Sequence, residues 1–358
     1  MSIWRFADHL PAVPPEFRIT LGEGNTPLLR SRRIGPEAGL ERLFFKLEQI
    51  NPSGSYKDRF AAVAISAMRA QGKSRCVASS SGNTGAALAA YCAAAGIACE
   101  IAIVESAPAA KLLQMLAYGA RLKRVRGFGL DQEITSRALD QLAEMGGEHD
   151  AALQISAYRY SPLGMSGVQT ISYELQEQSL PLELKLDHVF VPAGGGGLAL
   201  AVARGFARLS LLDEQQRTPA VHVVQPQGND TIATPLRERR VRAQAVTCTS
   251  AVSGLQVPSV IDGNETIAEC RATGGTGFTV DDEQVWRCQA RLAHEEGIFC
   301  EPAAAVALMG ALQAVESGAI AKDATMVCLV TGSGFKDAAS IERMTQHVTC
   351  PTVELSEL

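Results

Sequence analysis

Short apolar runs alternate along the chain with longer Ala-rich stretches, and the two have different lengths and periods. Leu43–Glu48 (LFFKLE), Arg75–Ser79, Cys99–Val104, Arg121–Val125, His188–Ala193, Ala220–Gln225 and Met326–Val330 read as strands. Several are apolar almost throughout, the pattern of strands buried on both faces of a parallel sheet. Between them, TGAALAAYCAAAG from Thr84, AKLLQMLAYG from Ala110 and GLALAVARGFARLS from Gly197 read as helices. Strand–helix alternation predicts an α/β fold with parallel-rich twisted sheets flanked by helices. A chain of 358 residues suits two lobes. Turn-forming residues at Asn51–Gly54 and Tyr160–Gly164 predict the division. Residues 52–161 form a small α/β domain, and residues 1–51 with 162–358 a large one. No repeat suggests a solenoid.

Composition narrows the classes. A net charge of −5 with no basic stripe argues against nucleic acid as partner. No apolar run approaches the roughly 18 residues of a membrane span, and the N-terminal stretch does not read as a signal peptide. The expected location is therefore cytoplasmic. The nine cysteines include no CxxC pair and read as buried thiols of a reducing compartment, with neither disulfides nor a metal site expected. Trp4 and Trp286 read as packing residues, His222 as a satisfied core histidine, and Glu301-Pro302 as a helix start.

The candidate chemistry lies in loops that follow strands. PAGGGGLA (Pro192–Ala199) opens a helix with Gly194, Gly195, Gly196 and Gly197 in succession. Such a run lets backbone N–H groups point at an anion, and the following helix adds its positive end, which favours phosphate. No Gly-Lys-Ser/Thr follows, so this is not a Walker A loop. ASSSGNTG (Ala78–Gly85) offers Ser79, Ser80, Ser81, Asn83 and Thr84, more polar groups than one helix cap needs. TGSGFKD (Thr331–Asp337) follows the last strand. Ligands of open parallel sheets bind beyond the carboxyl ends of the strands, so the three loops predict one crevice. Lys57, in NPSGSYKDRF, sits among small residues just before a helix. A lysine near a phosphate cradle suggests an aldehyde cofactor held as a Schiff base.

In this order EGNTPLL, FKLEQINPSGSYKDR, SSGNTG, KLLQMLAYGA, VPAGGGGLA, EGIFCEPAAA and TGSGFKD resemble the motifs of fold type II pyridoxal-phosphate enzymes of the threonine synthase-like group, over nearly the whole chain. The resemblance implies a tryptophan synthase β-like fold, with the larger domain binding pyridoxal 5'-phosphate and the smaller carrying the Asn loop. Lys57 would form the internal aldimine and later abstract the α-proton. Asn83 would contact the ring hydroxyl, Gly194 to Gly197 and Leu198 the phosphate, and Thr331 the pyridine nitrogen. Ser81, Asn83, Thr84 and Arg159 would bind an amino-acid substrate. The resemblance also implies a homodimer, and no C-terminal regulatory domain is evident.

Two segments depart from the threonine synthase pattern. LQISAYR carries Leu153 and Gln154 where Asn and Ser are usual, and SGVQT carries Ser166 and Gln169 where Glu and Lys are usual. Losing one cationic donor to a substrate phosphate costs about 1.5–3 kcal/mol, unless Lys111 or Arg159 compensates. The first expectation is elimination of phosphate from O-phospho-L-homoserine with addition of water to give L-threonine. The alternatives of the same fold are a serine/threonine dehydratase, a diaminopropionate ammonia-lyase and a cysteate synthase-like enzyme that uses phosphoserine. A nucleotide-binding or regulatory α/β protein without pyridoxal chemistry is the reading from another class.

Overall fold

Strands in the computed structural model, which describes residues 2–213 and 217–357, collect into two sheets. The larger runs β1 (Leu28–Arg30), β2 (Leu43–Leu47), β10 (Met326–Val330), β7 (His188–Pro192), β8 (Ala220–Pro226) and β9 (Gly277–Val280) from edge to edge. All its pairings are parallel except that of β1 with β2. The smaller runs β5 (Arg121–Arg124), β4 (Ala98–Ile103), β3 (Arg75–Ser79) and β6 (Ala151–Gln154), all parallel. β2, β7 and β10 are buried almost throughout, as continuous apolar runs require.

The expected strands all form, within a residue or two at their ends. The strands that the pattern did not predict are β1, β6 and β9. They read LLR, AALQ and GFTV, which are short, poor in β-branched residues or opened by glycine. Residues Tyr160–Gly164, expected as loop, include the start of a helix: Pro162–Val168 begins there, with Pro162 in its first turn. Its glycines serve close packing. A Cβ at Gly167 would sit 2.2 Å from the Arg59 carbonyl oxygen, and one at Gly164 2.6 Å from the Phe60 ring.

That contact seats helix Lys57–Ala70, whose Phe60, Val63, Ile65 and Met68 are buried. Each such side chain contributes roughly 1.5–3 kcal/mol. Beneath its first turn lies a buried ionic network. Arg59 donates to both Glu48 oxygens at 2.7 Å and to both Glu174 oxygens at 2.9 and 2.8 Å, and Lys46 donates to Glu174 at 2.7 Å. Thr26 donates to Glu48, and Thr170 accepts from Arg59. Burial alone would raise Glu174, but Arg59 and Lys46 outweigh it and hold its carboxyl below the ordinary range. Parts of EGNTP, FKLE, KDR and SGVQT thus meet in one support under Lys57.

His222 lies in the core, 3.0 Å from His188 Nδ1, with its own Nδ1 accepting from the Thr276 N–H; burial lowers its pKa to about 3. Trp4 donates to the Ile19 carbonyl, and Trp286 packs against the Arg343 guanidinium, 3.7 Å from its ring centroid. Among the described residues no helix is long and apolar enough to cross a membrane.

Candidate active site

Lys57 is the first residue of its helix, and its Nζ donates to Ser156 Oγ at 2.6 Å. Ser156 Oγ in turn lies 2.8 Å from Thr84 Oγ1. The lysine is therefore joined to the ASSSGNTG loop through one hydroxyl that follows β6. The small residues before Lys57 have a local reason. Ser55 bridges Gly332, Gly54 O accepts from the Ser333 N–H, and a Cβ on Gly54 (φ +92°) would meet Lys336 Cε at 2.9 Å. The TGSGFKD segment crosses directly over this turn. Ser53 holds the Asp58 carboxylate with its N–H and hydroxyl, both at 3.0 Å.

The glycine loop follows β7 and opens helix Gly197–Leu212. Its carbonyls are tied to β8 and to the segment around helix Gly263–Ala272: Gly194 O accepts from Gln225 Nε2, Gly195 O from the Asp262 N–H, and Gly196 O from Thr266 Oγ1. Among the described residues, the N–H groups of Gly194, Gly195, Gly196, Gly197 and Leu198 reach no protein acceptor. Backbone donors inside a protein are rarely left so. Five of them in sequence at a helix N-terminus are donors of the kind that suits an anion. Gly196 has φ +97°, and a Cβ there would meet Thr266 Oγ1 at 2.4 Å. The Asp262 carboxylate lies beside Gly197 but is turned to the Tyr158 and Arg159 N–H groups, at 2.8 and 3.1 Å.

The third loop meets Asn83. Glu301 stands just before helix Pro302–Glu316, as the helix start predicts, yet its side chain caps nothing. Its Oε1 instead accepts from Asn83 Nδ2 at 2.8 Å. The carboxyl lies so close to Gly332 that a Cβ there would be 2.2 Å from Oε1. Burial raises the Glu301 pKa to about 7 against the opposing pull of Lys336, Asn83 and Lys111. The same cause lowers Lys336, against Glu301 and Asp58.

Asn83, Glu301, Lys111, Gln114, Ser253 and Lys336 line a cavity of about 80 Å³, with Phe335 beside it. Lys111 donates to Ser253 and pairs with Asp337 at 3.4 Å, Lys336 donates to Gln114, and Gln114 donates to the Ser53 carbonyl at 2.9 Å. A larger cavity of about 440 Å³, between Arg30, Arg32, Phe45 and Glu296, contains none of these groups. The smaller one is bordered by Asn83, whereas neither Lys57 nor the glycine loop lines it.

The residues expected at the site fare differently. Thr84 and Lys57 meet through Ser156. Asn83 meets Glu301. Thr331 is buried, its carbonyl fixed by the Tyr56 N–H and its hydroxyl free of protein partners among the described residues. Ser81 is half-buried, and its hydroxyl likewise has no partner there, whereas Ser80 Oγ accepts from the Gly85 N–H and braces the loop. Arg159 is exposed, its guanidinium 5.8 Å from the Tyr160 ring centroid, and does not join the Lys57 cluster. Sequence reasoning missed Ser156 and Asp262 as site neighbours and left Glu301 as a helix start. Ser156 stands two residues before the Tyr-Arg pair it had singled out, but nothing in the sequence links Asp262 to the glycine loop.

A lysine amine tied through Ser156 to the Asn loop, and a run of backbone N–H groups without a protein acceptor among the described residues, are parts that an aldehyde phosphate cofactor requires. The chain belongs to the pyridoxal-phosphate dependent enzyme family, which matches residues 19–332. It is 30% identical to threonine synthase of Methanocaldococcus jannaschii over 97% of this chain and 84% of that one. It is 31% identical to threonine synthase of Halalkalibacterium halodurans over 94% and 91%. In structure it is similar to maize serine racemase, with a TM-score of 0.74 and 25% identity over 91% of this chain and 93% of that one. It shares its fold with threonine deaminase isoform 2 from Solanum lycopersicum, with a TM-score of 0.76 and 21% identity over 97% and 94%. The protein is thus a fold type II enzyme dependent on pyridoxal 5'-phosphate, and the reading without pyridoxal chemistry falls.

Proposed function

We propose that the enzyme is a lyase that removes a leaving group from an amino acid and, in the manner of threonine synthase, converts O-phospho-L-homoserine to L-threonine and phosphate. The observation that carries this reading is the pair Lys111 and Lys336, two amines that border one small cavity beside Asn83. They supply cations for a substrate phosphate where Ser166 and Gln169 do not.

Lys57 would hold the cofactor through Nζ, Gly194 to Gly197 and Leu198 its phosphate, Asn83 its ring hydroxyl and Thr331 its pyridine nitrogen. When bound, the cofactor supplies an electron sink for negative charge at the substrate α carbon. Thr331 gives that nitrogen a neutral partner, which suits elimination better than strong protonation does. Ser81, Asn83 and Thr84 receive the substrate carboxylate at a helix N-terminus. Lys57, once released, carries the α-proton, with Ser156 positioning its amine. A β-proton is then lost and its bonding pair expels phosphate from the γ carbon; a proton is delivered to the γ carbon, water adds its hydroxyl to the β carbon, and the α-proton is returned from Lys57.

A second reading has its own observation. Gln169 is committed to the Tyr158 and Tyr173 hydroxyls, Ser166 to the Leu163 carbonyl, and Arg159 to the surface. A dehydratase, diaminopropionate ammonia-lyase or cysteate synthase-like enzyme needs no γ-phosphate site at those positions. One assay separates them: offer O-phosphohomoserine, phosphoserine, diaminopropionate, serine and threonine, and follow phosphate, ammonia and keto acid together. Threonine and phosphate in equal amounts from O-phosphohomoserine are expected. Keto acid from serine or threonine, with no phosphate from O-phosphohomoserine, would overturn the first reading in favour of the second.

A further inference from the structure

The three sulfurs of Cys76, Cys92 and Cys99 all lie within 4.8 Å of one another, buried in the smaller lobe. They come from three elements. Cys76 on β3 stands opposite Cys99 on β4 in the parallel register, and Cys92 is on helix Asn83–Ala95. Around them the core is largely Ala, Leu and Ile, including Ala78, Leu88, Ala89 and Ile101. Apolar packing alone needs volume there and does not require that three sulfurs converge.

We propose that Cys76, Cys92 and Cys99 form a second, soft-metal site that takes one d10 cation of the Cu(I) class. A trigonal site with metal–sulfur bonds of about 2.3 Å needs sulfurs about 4 Å apart, within reach of the observed cluster by small rotamer changes. Thiolates select soft ions, and structural Zn(II) demands a fourth ligand that this pocket does not offer among the described residues. Each sulfur that ligates as thiolate gives its proton to solvent, and no electron is transferred. The site is separate from the cofactor but not mechanically remote. Helix Asn83–Ala95 carries Cys92 near its end and Asn83 and Thr84 at its start. A bound ion would pin that helix to β3 and β4.

The test uses the cofactor-loaded enzyme with the two cysteines that are not buried removed, Cys248→Ser and Cys350→Ser. Cu(I) is titrated anaerobically against a chromogenic Cu(I) chelator. One ion held per chain is expected, with a near-ultraviolet sulfur-to-copper band and an X-ray absorption spectrum of three sulfurs. Cys92→Ala or Cys99→Ala, small changes in the same core, should each weaken the affinity at least tenfold and leave the circular dichroism and the cofactor band unchanged. Failure of the chelator to lose any copper to the protein overturns the proposal. So does equal retention by both alanine variants, or binding only with loss of native circular dichroism.

Discussion

Glu301 combines three properties that rarely meet on a surface carboxylate: burial, one amide partner and two lysines nearby. Folded, it keeps its proton up to about pH 7, against an ordinary value of 4.5. Between those values the folded state binds a proton that the unfolded chain has released. Stability contributed by this group is therefore full below 4.5 and is lost as pH rises to about 7. Asp58 behaves with the same sign, rising from 3.8 to about 7 through burial, so the parent keeps a residual slope. Glu301→Gln keeps the shape and removes the titration. Urea midpoints of the cofactor-free chains, measured across this range, should show the variant gaining on the parent as pH rises. Parallel curves would mean that the carboxyl is ionised throughout.

At the scale of elements, a turn and a helix seat decide the geometry. Gly196 allows the cradle its positive φ and its contact with Thr266. Gly196→Ala adds backbone strain of about 1–3 kcal/mol and a clash. Cofactor affinity should fall at least tenfold, read by quenching of protein fluorescence, while the far-ultraviolet circular dichroism stays. Arg59→Met acts on the seat of the Lys57 helix. It leaves Glu48 and Glu174 buried with Lys46, and Arg5 at 4.0 Å from Glu174, as the remaining cations, which costs about 3–5 kcal/mol in urea unfolding. Lys46→Met and Arg59→Met together should cost more than the sum, since either cation alone still compensates Glu174 and the two cations repel each other in the parent. These elements show what a sequence displays and what it hides. The glycine run, the strand ends and the lysine were legible because local chemistry demands small or polar residues there. The ionic support was not, because Thr26 and Glu174 lie far along the chain from Lys46, Glu48 and Arg59, and each reads as an ordinary surface residue. Ser156 and Asp262 were hidden for the same reason: a tertiary contact between sheets gave them their neighbours. Arg159 misled because a charge quoted from a motif carries no direction, and here it points outward.

The whole molecule is a pair of sheets clasped across one cavity, and the clasp is made of groups that could also bind substrate. Lys111 and Gln114, on the helix between β4 and β5, reach Ser253, Asp337, Lys336 and Ser53 on the other side of the cavity. About 80 Å³ is far below the roughly 300–1,000 Å³ of a ligand pocket. We expect helix Ala109–Ala117 to withdraw from these partners when an amino acid enters this cavity. An anionic leaving group then offers both lysines a replacement for what opening takes away. A neutral substrate offers none. Closure should therefore follow the charge of the substrate, and the lysines should act on discrimination more than on chemistry. Lys111→Ala and Lys336→Ala are each expected to lower kcat/KM for O-phosphohomoserine roughly ten- to hundredfold, the loss of a charged hydrogen bond of about 1.5–3 kcal/mol. Any activity on serine should change by less than threefold on that argument, and the visible cofactor band should not move. Steady-state kinetics on both substrates, with added inorganic phosphate as a competitive probe of the cavity, checks this directly. If phosphate inhibits parent and variants equally, or serine turnover falls in step with O-phosphohomoserine, the two lysines hold the lobes together and do not read the substrate.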